Sequence, residues 1–256
     1  MKFPYVILSI TIIAFACQKD VKLDLKNDNK LIVDGLVTDV KGDNYVKLYT
    51  TQDFYSNASP DSISDASVIV ADDMENAFVF KEKPGTHGYY CNEDFQGKVG
   101  SSYKLKIQYN GKIYESSSIL PPCILRITVA YALHLNLVEI QFYLTQPDTN
   151  YYKLCSFIND TLLDSLQWLY LLPGNINLNN TGIVTKNYPH RQSDSLKIEE
   201  QSLTKDAYLY YLNLATYMNS QEHPFNVPPV FPSGNISNGA LGVFRASSII
   251  SRKIKF

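Results

Sequence analysis

The chain has 256 residues, of which 45% are apolar, 12% aromatic and 19% charged, with a formal net charge of −2 and a pI near 6.1. This is the composition of a globular protein with a sizeable core. It excludes a disordered chain and offers no basic footprint for nucleic acid.

The first twenty residues give an address. Lys2 supplies a positive start, Val6 to Ala16 is a short apolar run, and Ala14 and Ala16 stand at −3 and −1 of Cys17. Small residues at those positions fit a signal peptidase, and a Cys at the cut is where a bacterial lipoprotein takes its lipid. The run is shorter than the roughly 20 apolar residues of a spanning helix. Residues 1–16 therefore read as a lipoprotein signal peptide, with Cys17 as the lipid attachment site and the mature chain hanging from a membrane. Residues 17–29 alternate in charge and read as a tether.

Residues 30–121 carry short runs rich in Val, Ile, Tyr and Phe, bounded by Gly, Asn, Asp or Pro. They are Leu31 to Val33 with Leu36-Val37, Tyr45 to Thr50, Ser67 to Val70, Ala77 to Lys81, Ser102 to Tyr109 and Lys112 to Ser117. Asn110-Gly111 between the last two predicts a tight hairpin, because a type I′ turn needs positive φ twice. Asp72 to Asn76 predicts a longer hairpin loop. Its acidic residues Asp72, Asp73 and Glu75 lack the spacing of a calcium loop and read as a solvated tip. Together these runs predict an Ig-like β-sandwich. Pro121-Pro122 ends it, since neither proline can donate to a sheet ladder.

Residues 122–256 predict a second β-rich domain. Ile124 to Ala132, Leu137 to Thr145 and Tyr151 to Ile158 read as strands, and residues 173–195 as loop. Leu203, Ala207, Tyr210, Leu214 and Tyr217 recur at steps of four and three, which predicts one α-helix over about 203–218. Ser202 or Thr204 can cap it, with Asp206 in its first turn. A Pro/Gly loop over 224–239 and a strand pair, Gly242 to Ala246 and Ile249 to Phe256, complete the mainly β reading.

Chemistry-bearing patterns are sparse. His87, His134, His190 and His223 are scattered without metal-ligand spacing, and no nucleophile elbow or phosphate-cradling loop occurs. No cofactor is expected. With Cys17 assigned to lipid, Cys91, Cys123 and Cys155 remain, as one disulfide plus a free thiol or as three apolar thiols.

The order of these signals resembles the domain-of-unknown-function family 4249, outer-membrane lipoproteins of Bacteroidota. It is carried by the lipobox, Leu31 to Asp39, Asp65 to Asp73, Gly85 to Tyr90, Gly97 to Tyr103, Gly111 to Ser116, the Pro-Pro seam, the Tyr-rich helix and Gly239 to Ser247. Within it, Gly100-Ser-Ser-Tyr103-Lys-Leu105 is similar to an element of transthyretin-like or carboxypeptidase-regulatory sandwiches. The aromatic typical after Gly242 is displaced to Phe244, followed by Arg245.

The resemblance implies that Gln18, Lys19 and Asp20 direct export to the cell surface. It also implies a place beside a TonB-dependent transporter in nutrient uptake, and it supplies no catalytic residue. Asp61-Ser62-Ile63, Asp160-Thr161-Leu162, Asp164-Ser165-Leu166 and Asp194-Ser195-Leu196 resemble the O-glycosylation acceptor of that lineage, at Ser62, Thr161, Ser165 and Ser195. Turn chemistry accounts for the same triplets.

The expectation is a non-enzymatic, lipid-anchored binding or accessory protein at the outer membrane, taking a glycan or peptide through loops 173–190 and 223–239. The rival expectations are a surface hydrolase acting on glycan or peptide, and an outer-membrane assembly accessory.

Overall fold

The computed structural model describes residues 30–52, 60–132, 137–144, 150–163, 169–173, 182–220 and 232–256. In the first half, β1 (Leu31–Thr38), β2 (Tyr45–Thr50), β3 (Ser67–Ala71), β4 (Ala77–Glu82), β6 (Ser102–Tyr109) and β7 (Lys112–Ile119) follow the sequence reading closely, and the short β5 (Tyr89–Cys91) is an addition to it. Their side chains alternate. Val68 and Val70, Tyr103, Leu105 and Ile107, and Val46 and Leu48 all turn inward. Asn110 and Gly111 have φ of 48° and 70°, and Tyr109 faces Lys112 across the turn. The acidic tip is self-contained: Asp72 accepts hydrogen bonds from the Met74 and Asn76 amides and the Asn76 side chain.

One strand of this sheet comes from far away. β15 (Leu241–Ser247) lies parallel to β1, with Ile32 opposite Leu241 and Thr38 opposite Ser247, so the strand order is β15-β1-β2-β5-β4-β3-β6-β7. Phe244 and Ala246 belong to the same core as Val33 and Val37. At the other end of the sheet, Ser118 of β7 accepts a hydrogen bond from the Ala246 amide, which brings the two edges together. Gly242 has φ of 99°, and a Cβ there would meet the Val33 carbonyl at 1.9 Å. Only glycine permits that approach.

The second half stacks two sheets. β8 (Leu125–Ala132), β9 (Leu137–Leu144) and β13 (Gly182–Lys186) form one, in the order β13-β9-β8. The other comprises β10 (Tyr151–Ile158), β11 (Thr161–Leu162), β12 (Tyr170–Leu172), β14 (Ser195–Leu203) and β16 (Ile249–Lys255), in the order β11-β10-β14-β16 with β12 also on β10. Leu125, Ile127, Val138, Ile140, Tyr152, Leu154, Leu196 and Ile198 fill the space between them. The single helix of the described residues, α1 (Lys205–Ser220), packs Ala207 and Tyr211 against Leu203 and Val243. Thr204 Oγ1 accepts from the Ala207 amide at 3.4 Å and so caps it. Ser202 bonds Pro121 and Ser248 instead.

Three differences from the sequence reading have physical causes. The strands over 242–246 and 249–256 do not pair with each other. The chain changes sheets at Ser248, so β15 completes the first sandwich and β16 joins β14. Residues 122–256 are thus not a self-contained run of the chain. β13 lies within the expected loop 173–195. β14 has no counterpart in the sequence reading, and its run Lys-Ile-Glu-Glu-Gln-Ser is buried on both faces because one packs on the three-stranded sheet and the other faces the sandwich. Cys91 and Cys155 are free thiols, and the Cys123 thiol donates a hydrogen bond to Glu200.

Candidate functional site

A cleft of about 220 Å³ opens where the first sandwich meets the outer face of the β10–β14 sheet. Strand alternation decides what lines it. On the sandwich side, Leu36 of β1 lies opposite Tyr45 of β2, and Lys47, two places along the same strand face, lies opposite Asp34 of β1 just behind the wall. On the other side, Lys153, Cys155 and Phe157 of β10 lie opposite Gln201, Glu199 and Lys197 of β14. Tyr89 and Arg245 complete the wall, and Asp43 stands at the rim.

Arg245 is the hub. It is 2% exposed, and its Nη1 donates to Asp34 Oδ1 at 2.8 Å and to the Gly35 carbonyl at 3.3 Å. Its Nη2 donates to the Tyr45 hydroxyl at 3.2 Å, and its guanidinium lies 5.4 Å from the Tyr211 ring centre. Asp34 keeps 40% of its side chain accessible, so this ion pair is partly hydrated. Burial pushes the Asp34 carboxyl up, but the Arg245 charge and hydrogen bond, then Lys153 and Lys47, outweigh it and hold it below the usual carboxylate range. Burial raises the phenols of Tyr45 and Tyr211 far above their ordinary value and raises the Cys155 thiol, so none of the three is a ready nucleophile.

The lysines of the cleft rest on aromatic faces. Lys47 Nζ is 4.8 Å from the Tyr45 ring centre and 5.7 Å from that of Tyr89. Lys153 Nζ is 4.1 Å from Tyr211, and Lys197 Nζ is 4.0 Å from Phe157. Lys197 also pairs with Glu199 at 3.4 Å. A larger open groove of about 590 Å³ runs over the outer face of β3, β6 and β7, past Lys104, Lys106 and Glu115. It lies on one sheet face, whereas the cleft draws charged groups from both halves of the protein.

Two other polar clusters bring titratable groups together. Ser64 Oγ donates to Glu82 at 2.7 Å and lies 3.1 Å from His87 Nδ1. A hydrolytic triad puts the histidine between hydroxyl and carboxylate. Here the serine stands between, and its proton is committed to Glu82. At the seam, Glu200 is fully buried, accepts from the Cys123 thiol at 2.8 Å and leaves Oε2 without a partner. Burial pushes its carboxyl up to about 7 against the pull of Cys123, Arg252 and Arg126. No group of three metal-ligating side chains occurs among the described residues.

The residues singled out from sequence fare differently. Cys17, Gln18, Lys19, Asp20 and Ser165 lie outside the described residues. Ser62 and Thr161 are exposed. Ser195 is 9% exposed, opens β14 and receives the Asn159 side chain on its amide. Of the two expected contact loops, 174–181 and 221–231 lie outside the described residues. The rest of the second is fastened down: Asn235 bonds both backbone groups of Phe244, and Ser237 pairs with Glu115 of β7. His190 stacks on Phe256 at 3.7 Å, which is packing rather than a site. The cleft residues carried no motif. The available signal was a cation two places from an aromatic or apolar residue on the same strand face, in Tyr45-x-Lys47 and Lys153-x-Cys155-x-Phe157, and an arginine inside the apolar run Gly242 to Ala246.

The comparisons with known proteins narrow the family and not the activity. A family model described as "Domain of unknown function (DUF4249)" matches residues 18–253. No curated protein matches. Two solved structures called "Cytokine receptor complex", in crystal forms 1A and 2, align with 8% identity and a TM-score of 0.27 each. They cover 87% and 68% of this chain and 95% and 92% of theirs, and at that score the likeness carries no argument.

Proposed function

The chain belongs to the DUF4249 family, and from that premise we propose that it is a non-enzymatic binding protein, anchored by lipid at Cys17 to the outer membrane and facing the cell surface. The observation that carries the binding role is the cleft: charged and aromatic side chains from β2, β10, β14 and β15 converge with Leu36 of β1 on one small space. Pockets at such junctions bury a few placed polar groups against aromatic walls, which suits recognition. Burial holds the Tyr45 and Tyr211 phenols protonated, and Tyr211, Tyr45 and Asp34 hold Arg245 charged against its burial, which suits catalysis poorly. Lipid at Cys17 with the tether of residues 17–29 would hold the cleft beside a TonB-dependent transporter, handing it a glycan or peptide ligand.

Two measurements test this reading. Growth of the host on a labelled fatty acid should label the protein, and a polypeptide that stays unlabelled removes the anchor. Purification from detergent-solubilised native membranes should bring down a β-barrel transporter, and its absence above background removes that partner. O-glycosylation is proposed at Ser62 and Thr161, whose exposure leaves them open to an enzyme. Intact mass of the native protein should exceed that of the lipidated polypeptide, and equality ends the proposal.

A further inference from the structure

The cleft is electrically polarised along its length. Asp34 and Lys47 face each other across β1 and β2, and Lys153 and Arg245 act on the same carboxylate. At this pole three cations meet one anion. The ammonium groups of Lys47 and Lys153 rest on rings, and among the described residues neither forms an ion pair closer than 4.0 Å. At the other pole stand Asp43 and Glu199 with Lys197 alone between them. The Asp43 carboxyl is raised by burial and then by Glu199, with Lys197 opposing. Two anions meet one cation there.

Register fixes the separation of the poles. Glu199 lies opposite Cys155, two residues along β10 from Lys153, so at about 3.4 Å per residue the poles begin roughly 7 Å apart. An extended peptide advances about 3.3–3.6 Å per residue, so two residues reach from one pole to the other. A single amino acid is too short, and a neutral sugar leaves both poles unanswered. With two surplus positive charges at one end and one surplus negative charge at the other, the charge pattern selects one amine and two carboxylates.

Resting on the reading of the cleft as a binding site, we infer that its ligand is a short peptide with a free amino terminus and an acidic carboxy-terminal residue. The amine lies toward Asp43 and Glu199. The paired carboxylates lie toward Lys47, Lys153 and Arg245. Leu36, Phe157 and Leu162 provide the apolar wall between.

The experiment is calorimetric titration of the full-length protein in detergent with alanyl-glutamate, N-acetyl-alanyl-glutamate, alanyl-glutamine, glucuronate and glucose. Alanyl-glutamate should bind saturably. Acetylation of the amine and amidation of the side-chain carboxylate should each weaken binding about fivefold, as partly exposed charge contacts do. In Asp43→Asn the acetyl group should lose its effect while the amide keeps it. In Lys153→Met the reverse should hold. This crossed pattern arises from direct pairing and not from general loosening. Equal affinity for the capped and free peptides overturns the inference, as does tighter binding of glucuronate or glucose. Those sugars binding would leave the cleft as a site for another ligand, whereas no binding by any of the five to folded protein removes both readings.

Discussion

The two halves of this molecule distribute buried polarity differently: the sandwich scatters it over several strands, and the second half gathers most of it on one. In the sandwich, Asn44 is buried with every side-chain group employed: Nδ2 donates to the carbonyls of Val40 and Phe95, and Oδ1 accepts from the Thr38 amide. Around it Phe78, Phe80, Phe95 and Tyr103 interlock edge to face, with centroids 4.9–5.7 Å apart. In the second half, β14 alone buries Ser195, Glu199, Glu200, Gln201 and Ser202, and both Glu200 Oε2 and Gln201 Oε1 lack partners. Satisfied polar groups fix a structure, while orphaned ones cost stability and persist where something other than stability is at stake. Orphaned atoms occur in both halves, at Ser116, Arg245 and Ser247 of the sandwich and at Glu200 and Gln201 of β14, so the sandwich is the frame and β14 is where buried polarity is densest.

That contrast can be broken most decisively in the frame. Phe244→Ala empties a fully buried ring site between β1 and the facing core. It should cost about 3–5 kcal/mol in denaturant unfolding, and a loss under 1 kcal/mol would mean that β15 is not part of the core. Next comes Glu200→Gln. The folded carboxyl sits near 7 against an ordinary 4.5, so the fold retains a proton that the unfolded chain releases. The stability this supplies is complete below about 4.5, declines as pH rises, and is gone above about 7. The amide removes that slope, and the variant should be more stable than wild type by about 2–3 kcal/mol at pH 8 and equal to it near pH 4. Parallel pH profiles for the two proteins would contradict the assignment.

A smaller effect belongs to Asp34→Asn. Because the Asp34 carboxyl is depressed, its contribution is present above its unfolded value and is lost as pH falls through the folded one. With 40% of the side chain accessible, about 1 kcal/mol is expected at neutral pH and almost none at pH 2, measured by urea unfolding. The smallest change is Thr204→Ala, which removes a long capping bond on α1 and should cost about 0.5–1 kcal/mol in the same assay. That it is the least of the four would mark the helix as a cover and not a foundation.

Local structure was legible wherever a single rule governed it. Asn110-Gly111, the alternation of Tyr103, Leu105 and Ile107, and the steps from Ala207 to Leu214 each state one geometry, and each is realised within two residues. What sequence could not show was nonlocal. Nothing in Val243-Phe244-Arg245 specifies a partner some 210 residues away, since parallel pairing leaves no local mark. β14 was hidden for the opposite reason: charged side chains signal water, and only a second layer on each side turns them inward. The cleft inherits both difficulties, because its lysines come from three strands and its arginine from a fourth.

The parallel seating of β15 on β1 also bears on how the protein is made. While synthesis proceeds from the first residue, β1 waits with one flank of amides and carbonyls unclaimed until a stretch some two hundred positions later arrives. Such distant closure slows assembly and leaves a sticky border during the delay. Loss of residues from 241 onward by premature termination would therefore damage a portion of the molecule made much earlier, and a nascent chain needs shielding until β15 is delivered.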